Sequence, residues 1–153
     1  MITYQPVANK QYDELLQLMR EDAADYLQQS LDLMRITREE FGQLFRTIGQ
    51  VDGIYQDEQL AGFYWIEERP PVLHLHALIL KPTFQGKGIG TIVLQMLIAT
   101  YGGRMQAIEL GVHQSNPRAK KLYGRLGFVV IDFKEDLGYF IMQRPLAAIA
   151  ING

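Results

Sequence analysis

The chain has 153 residues, of which 48% are hydrophobic and 21% charged, and its net charge is −2 at pH 7. This length is typical of one globular domain, and no basic stripe indicates a nucleic-acid partner. No apolar run reaches the roughly 18 residues of a membrane helix, and the first ten residues have no apolar core of signal-peptide length. We therefore expect a cytoplasmic protein without a membrane partner. The absence of cysteine excludes disulfides, thiolate nucleophiles and cysteine metal ligands.

The N-terminal half predicts a strand, two helices and a hairpin. After the strand-like "ITYQPV", apolar residues at helical spacing predict one helix over Lys10–Leu27. Thr37 is a suitable N-cap for the second helix, and Glu40 stands where a capping box requires it. Two strand-like runs around the polar "QDEQ" predict a β-hairpin, and "VLHLHALIL" predicts the next strand.

The C-terminal half alternates helices and strands. A helical stripe begins inside a glycine-rich loop, and "MQAIELGV" is the strand that follows it. The next helix has Asn116 as N-cap, Pro117 at its first position and Gly127 at its end. Two further strands complete an α/β fold, with a mixed central sheet of about six to seven strands flanked by about four helices. The domain is predicted to span residues 1–146, with a C-terminal tail at 147–153.

The glycine-rich loop "TFQGKGIGTIVL" has the properties of an anion-binding turn. Unpaired N–H groups at a helix start attract anions, and glycine lets a phosphate approach the backbone. Two familiar phosphate loops do not match. A P-loop needs Ser or Thr after Lys87, where Gly88 stands, and a dinucleotide fingerprint needs glycine where Thr91 stands. The loop alone is also compatible with a tight turn that binds nothing.

Two motifs together are more specific. The segment from Gln85 to Gly90 matches the Q/R-x-x-G-x-G/A pattern of the GNAT acetyltransferase superfamily. About thirty residues on, "NPRAKKLYGRLGF" matches that superfamily's N-x-x-A-x-x-L-Y-x-x-x-G-F helix. The sequence from about Leu73 to Phe133 therefore resembles the GNAT superfamily. The resemblance implies a single GNAT-like domain that uses acetyl-CoA as co-substrate.

The resemblance also implies the residues that bind acetyl-CoA. Main-chain groups of Leu78, Ile79 and Leu80 would face the pantetheine arm, in room made by a local splay of this strand from the next. Asn116 would contact the pantetheine or close the site. Tyr123 would lie near the sulphur and give the leaving thiolate a proton, unless it is only a helix-core tyrosine. The pyrophosphate would be held by backbone amides of the loop: Gln85, Gly86, Lys87, Gly88, Ile89, Gly90 and Thr91.

His74 and His76 alternate on one predicted strand, so their side chains should share a face. Histidine titrates near neutrality and can accept the proton of an ammonium substrate. This His-x-His strand resembles that of the arylalkylamine N-acetyltransferases, which implies a proton-accepting role without separating the two histidines. The alternatives are a structural pair with satisfied hydrogen bonds, and a zinc site completed by His113.

Other residues leave more than one interpretation open. Glu67, Glu68 and Glu109 are acidic alternatives for the base. Solvated charge at a strand end is the favoured interpretation of Glu67 and Glu68, and Glu109 could instead face solvent or a neighbouring helix. Tyr64 and Trp65 should point to opposite faces, one toward an acceptor pocket and the other toward the core. Four apolar residues of the first two helices could form either an acceptor wall or an ordinary core: Tyr26, Met34, Phe41 and Phe45.

These observations predict an N-acetyltransferase (an acyltransferase) that moves an acetyl group directly from acetyl-CoA to a primary amine of a small molecule or peptide. The absence of cysteine removes the most obvious covalent acetyl-enzyme. We expect no metal and no nucleic acid, and a homodimer is a further expectation. The alternative is a non-catalytic acyl-CoA-binding sensor or interaction module on the same fold.

Overall fold

In the computed structural model, which describes residues 1–147, seven strands form one mixed sheet in the order β1-β2-β3-β4-β5-β7-β6. Strands β4 and β5 are parallel, and the pairs β1–β2, β2–β3, β5–β7 and β6–β7 are antiparallel. The strands are Ile2–Pro6 (β1), Gln50–Gln56 (β2), Gln59–Arg69 (β3), Val72–Leu80 (β4), Ala107–His113 (β5), Val129–Lys134 (β6) and Tyr139–Pro145 (β7). The helices are Gln11–Asp22 (α1), Ala24–Met34 (α2), Arg38–Thr47 (α3), Ile89–Tyr101 (α4) and Pro117–Arg125 (α5).

The predicted α/β class and seven-strand sheet are confirmed, but the single helix over Lys10–Leu27 is wrong. Two helices stand there, and the chain breaks at Ala23, with φ −140° and ψ 39°. The apolar spacing continues across this break, and alanine is the best helix former, so neither periodicity nor propensity marks the position. The described chain accordingly has five α-helices instead of about four. None of them has the length and apolarity that crossing a membrane would take.

One compact unit of the chain comprises Met1–Ile66 and Ala77–Ile89. Thr37 caps α3 through the predicted capping box, because its side chain accepts from the Glu40 N–H and the Glu40 carboxylate accepts from the Thr37 N–H. That helix places Phe41 and Phe45 in a fully buried aromatic cluster with Trp65. The two phenylalanines are therefore core residues rather than an acceptor wall.

Tyr64 and Trp65 do alternate across β3, as predicted. The Trp65 ring lies in the core, and its Nε1–H donates to the Ile48 carbonyl at 2.7 Å. The Tyr64 ring contacts Tyr4 edge to face, and its hydroxyl donates to Asp52. Both side chains are buried.

The second compact unit joins Glu67–His76 to the chain from Gly90 onward. On β5 the alternate residues Ile108, Leu110 and Val112 are all buried. Asn116 caps α5 by accepting from the Ala119 N–H at 3.1 Å. Gly127 follows the helix with φ +94°, a left-handed conformation that glycine adopts without steric cost. The predicted tail falls almost wholly outside the described residues, which end at 147.

Candidate active site

The glycine loop joins β4 to α4 in the first unit. Gly86 and Gly88 have φ values of +74° and +81°, in the left-handed region that disfavours side chains. A Cβ atom built on either glycine would meet no atom within 4 Å, so the space beside the loop is open. The residues from Gln85 to Gly88 are exposed, whereas Ile89, which starts α4, is buried. The loop therefore presents bare, accessible backbone at a helix start.

The C-terminal half of β4 precedes this loop, and its main chain lies close to β3. Gly62 of β3 lies so close that a Cβ there would stand 2.1 Å from the Ile79 carbonyl oxygen. Main-chain groups alternate along a strand, so those of Leu78 and Leu80 face the other edge of β4. The Leu80 carbonyl accepts from the Gln85 side chain at 3.0 Å, which fixes the start of the loop.

The ladder between β4 and β5 is shorter than the strands themselves. Its register runs from Val72 opposite Ala107 to Leu75 opposite Leu110. Strand β4 continues for five residues beyond Leu75, to Leu80. The parallel pairing thus ends at the middle of β4, where the sequence resemblance predicts that the strands diverge.

The two histidines share one face of β4, as the period of two predicts. Their rings stack with centroids 6.3 Å apart and planes 20° apart. Each ring meets a glutamate from a neighbouring strand. The His76 Nε2 lies 2.8 Å from Glu67 Oε1 on β3, and the His74 Nδ1 lies 3.3 Å from Glu109 Oε2 on β5. Four titratable side chains, two histidines and two glutamates, are therefore grouped in the second unit.

Burial and pairing set the charges of this group. Burial lowers the pKa of His76, and its bond to Glu67 opposes that change. Arg69 donates to both oxygens of Glu67, at 2.8 and 2.9 Å, and this pairing is the main reason why the pKa of Glu67 falls to about 2. At neutral pH the site therefore contains a glutamate carboxylate next to an imidazole whose neutral form is favoured.

Glu67 belongs to this group, although the sequence analysis favoured a solvated charge at a strand end for it. Only 19% of its side chain is exposed, and both His76 and Arg69 contact it. Its neighbour Glu68 fits that expectation better, since it pairs with Arg104 at 2.9 Å and stays 43% exposed. The alternation of side chains along β3 could have placed the two glutamates on opposite faces.

Tyr123 lies on α5 in the second unit, with its ring 5.8 Å from that of Phe128. Burial raises the pKa of its phenol to about 12, so the hydroxyl keeps its proton at neutral pH. On the same helix, Leu122 is the nearest side chain to Gly90, 3.8 Å from the position of a Cβ atom there. The α5 motif is therefore packed against the start of α4 within this unit.

His113 does not join the other two histidines. Its Nδ1 lies 2.8 Å from the Ser115 hydroxyl, and its ring contacts Tyr139 edge to face. In the part of the chain that the structure describes, no group of three or more potential ligands is arranged to hold a metal ion.

The sequence matches the Acetyltransferase (GNAT) family over residues 12–128. It is also 33% identical over 86 residues to the mycothiol acetyltransferase of Acidothermus cellulolyticus, a match that covers 53% of this chain and 25% of that protein. The matched part thus spans about a quarter of the length of the curated relatives, including a second mycothiol acetyltransferase from Propionibacterium freudenreichii.

Solved structures show the same fold. The ribosomal-protein-S18-alanine N-acetyltransferase from Escherichia coli superposes with a TM-score of 0.76 at 19% identity, covering 100% of this chain and 99% of its own. The spermidine N-acetyltransferase from Vibrio cholerae, solved with CoA and spermine, gives a TM-score of 0.73 at 16% identity, covering 94% and 95%.

Proposed function

The chain belongs to the acetyltransferase (GNAT) family, and from this premise we propose that it is an N-acetyltransferase. It moves the acetyl group of acetyl-CoA directly to a primary amine of a small molecule or peptide. The observation that carries the proposal is the open, left-handed backbone at Gly86 and Gly88, immediately before α4. Backbone N–H groups at a helix start bind anions, and the pyrophosphate of CoA is such an anion.

The residues present fit acetyl-CoA, which supplies the acetyl group as a thioester. Backbone amides from Gln85 to Thr91 would bind the pyrophosphate, and the charge of Lys87 would favour it. The main chain of Leu78, Ile79 and Leu80 would bind the pantetheine arm, with Leu78 and Leu80 favoured because their groups face away from β3. The side-chain oxygen of Asn116 already accepts a hydrogen bond from the helix it caps. Its side-chain NH₂ would therefore be the group that contacts the pantetheine.

Transfer requires two proton movements by this chain. As the amine nitrogen bonds to the acetyl carbon, the amine loses a proton, and the His74–His76 face is the proposed acceptor. As the carbon–sulphur bond breaks, the sulphur gains a proton, and the Tyr123 hydroxyl is the proposed donor. The Tyr123 phenol is protonated at neutral pH, since burial raises its pKa to about 12, and the phenolate left after donation would regain its proton from water.

Two observations support the proposed amine acceptor. The His-x-His strand resembles that of arylalkylamine N-acetyltransferases. The similar proteins named above are a spermidine N-acetyltransferase, a mycothiol acetyltransferase and a ribosomal-protein-S18-alanine N-acetyltransferase. Together these support an amine acceptor without choosing its class. The cytoplasmic location and a homodimer stay predictions.

The direct test has two parts. Acetyl-CoA should raise the melting temperature of the purified protein by mass action. The protein should also release free thiol from acetyl-CoA with at least one amine of a panel containing spermidine, a peptide with N-terminal alanine and an arylalkylamine. Binding without thiol release for any amine would favour the non-catalytic sensor.

Gly88→Glu isolates the loop in the binding test. It places a side chain and a negative charge where the pyrophosphate is proposed to lie, and should abolish the stabilisation. Gly88→Ala is the matched control, because it brings the same unfavourable φ of +81° without a charge. Equal stabilisation of the Glu variant and the wild type by acetyl-CoA would contradict the assignment of the loop.

A further inference from the structure

Strand β6 lies at an edge of the sheet and is exposed along its whole length. In the order of the described strands it has β7 on one side and no neighbour on the other. All six of its residues are exposed. Four of the seven large apolar side chains that are exposed in the described chain lie on this strand: Val129, Val130, Ile131 and Phe133. An exposed apolar edge of this kind is a site where another strand can pair.

The charges that would keep another strand away from β6 neutralise each other. Unpaired charged side chains commonly protect the edge strands of monomers. The charged residues of β6 are Asp132 and Lys134, and Lys134 Nζ lies 2.8 Å from Asp132 Oδ2. The strand therefore has no net charge with which to attract a strongly acidic or basic partner. For the same reason it does not repel a second copy of itself.

The pairing with β7 determines which side chains of β6 share a face. Residues that lie directly opposite each other in an antiparallel pair are on the same face of the sheet. Val130 is opposite Met142 and Phe133 is opposite Phe140, with the two phenylalanine rings 4.6 Å apart. Ile131 has no partner on β7 and is the extra residue of a β-bulge. Because of this bulge, Val130 and Phe133 share a face although they are three positions apart.

We propose that β6 pairs antiparallel with β6 of a second copy of this chain, so that the two sheets join across a two-fold axis. The register that pairs all six residues places this axis directly after Ile131. It sets Val130 opposite Phe133 of the second copy, and Val129 opposite Lys134. Both pairs satisfy the requirement that opposite residues share a face, since Val129 and Lys134 are opposite alternate residues of β7 as well.

Other registers fit less well. A shift of one residue sets Val129 opposite Phe133 of the second copy, or Val130 opposite Lys134, and each of these pairs joins side chains from opposite faces. A register centred on Phe133 respects the faces but pairs only the last three residues of each strand. It would leave the apolar Val129 and Val130 exposed.

The interface is small, because six residues a side is well below the roughly 20–30 of a standard protein interface. We therefore expect a reversible dimer whose population depends on protein concentration. This inference concerns the partner of the chain and does not depend on the proposed acetyl transfer. A protein that acetylates no amine of the panel could still dimerise, and a monomer could still be active.

The first experiment is sedimentation velocity over a wide range of protein concentrations. The wild type should change from monomer to dimer as the concentration rises. Ile131→Asp places a carboxylate opposite Asp132 of the second copy, so the dissociation constant should rise at least about tenfold. Ile92→Asp is the matched control, since it makes the same exchange at an exposed isoleucine of α4, away from β6. The control should dimerise like the wild type, with circular dichroism confirming that both variants are folded.

The second experiment tests the register by cross-linking. The chain contains no cysteine, so an introduced cysteine is the only thiol. A mixture of Val130→Cys and Phe133→Cys should form a disulfide-linked dimer under mild oxidation, because these two positions face each other across the axis. Each variant alone should not, since its two copies of the thiol would be three residues out of register and too far apart. Cross-linking of Phe133→Cys with itself would overturn the proposed register.

A monomer at every concentration, with no cross-link in the mixture, would overturn the dimer. Amide hydrogen exchange then shows what takes its place. Protection of the β6 amides in that monomer would mean that another segment of the same chain covers the edge. Protection that appears only when a peptide with N-terminal alanine is added would make β6 a peptide-binding strand instead.

Discussion

Tyr123 is the residue whose proposed role can be separated most cleanly from its packing. Tyr123→Phe keeps the ring next to Phe128 and removes only the hydroxyl. We expect kcat to fall roughly 10- to 10⁴-fold, since the departing thiolate would lose its proton donor. The affinity for acetyl-CoA should hardly change. Unchanged kcat, with the chemical step shown to be rate-limiting, would leave Tyr123 as a packing residue.

The placement of a single residue could be predicted from the sequence where it depends only on neighbours along the chain. The shared face of His74 and His76 follows from the period of a strand, and the structure confirms it. The partnership of His76 with Glu67 was not predicted, because it depends on how β3 and β4 lie side by side, nine residues apart along the chain. Sequence periodicity gives the face of a side chain but not its neighbour on the next strand.

At the scale of elements, turn and cap chemistry was readable from the sequence. The hairpin between β2 and β3 closes around Asp57 and Glu58, and α3 begins at its predicted capping box. The break between α1 and α2 was not readable, because Ala23 and Ala24 are good helix formers and no glycine or proline marks it. Both helices contribute side chains to the first unit's core.

The same hairpin supports a stability prediction. Asp57 and Glu58 have φ values of 50° and 71°, the left-handed pair that a two-residue hairpin turn requires. Asparagine followed by glycine suits this turn best, so Glu58→Gly should stabilise the protein by about 0.5 to 1 kcal/mol. Urea unfolding at pH 7 measures the change. Glu58→Ala removes the same carboxylate without relieving the φ, so a gain of equal size in that control would assign the effect to charge.

At the scale of the whole molecule, the described chain has the fold of the solved acetyltransferase that superposes on it, and its seven strands form one mixed sheet. The charges that were not predicted from the sequence are those of the paired group in the second unit. Because the pKa values of two of its members are lowered by folding, the group should affect how stability depends on pH.

Glu67 and His76 both make the folded protein less stable as the pH falls. The pKa of Glu67 falls from 4.5 to about 2 on folding, so the unfolded chain binds more protons there. Its contribution to stability is present above about pH 4.5 and is lost as the pH falls toward 2. The pKa of His76 also lies below its ordinary 6.5 in the folded protein. The contribution of His76 to stability is complete above pH 6.5, and it decreases as the pH falls from 6.5 to the lowered pKa of the folded protein.

The free energy of unfolding should therefore decline first below pH 6.5 and again below pH 4.5. Glu67→Gln removes the decline below pH 4.5. It also extends the decline that begins at pH 6.5 to lower pH, because His76 loses the carboxylate that favours its protonation and its pKa falls further. Urea unfolding followed by far-UV circular dichroism at pH 7, 5.5, 4 and 3 would measure this. Glu68→Gln serves as the control, since every other carboxylate contributes equally to both variants and cancels in their difference.

Parallel curves for the two variants would show that the Glu67 contacts do not affect acid stability. A loss confined to the Glu67 variant at pH 7, which becomes smaller toward pH 3, would show that the ionised carboxylate stabilises the fold.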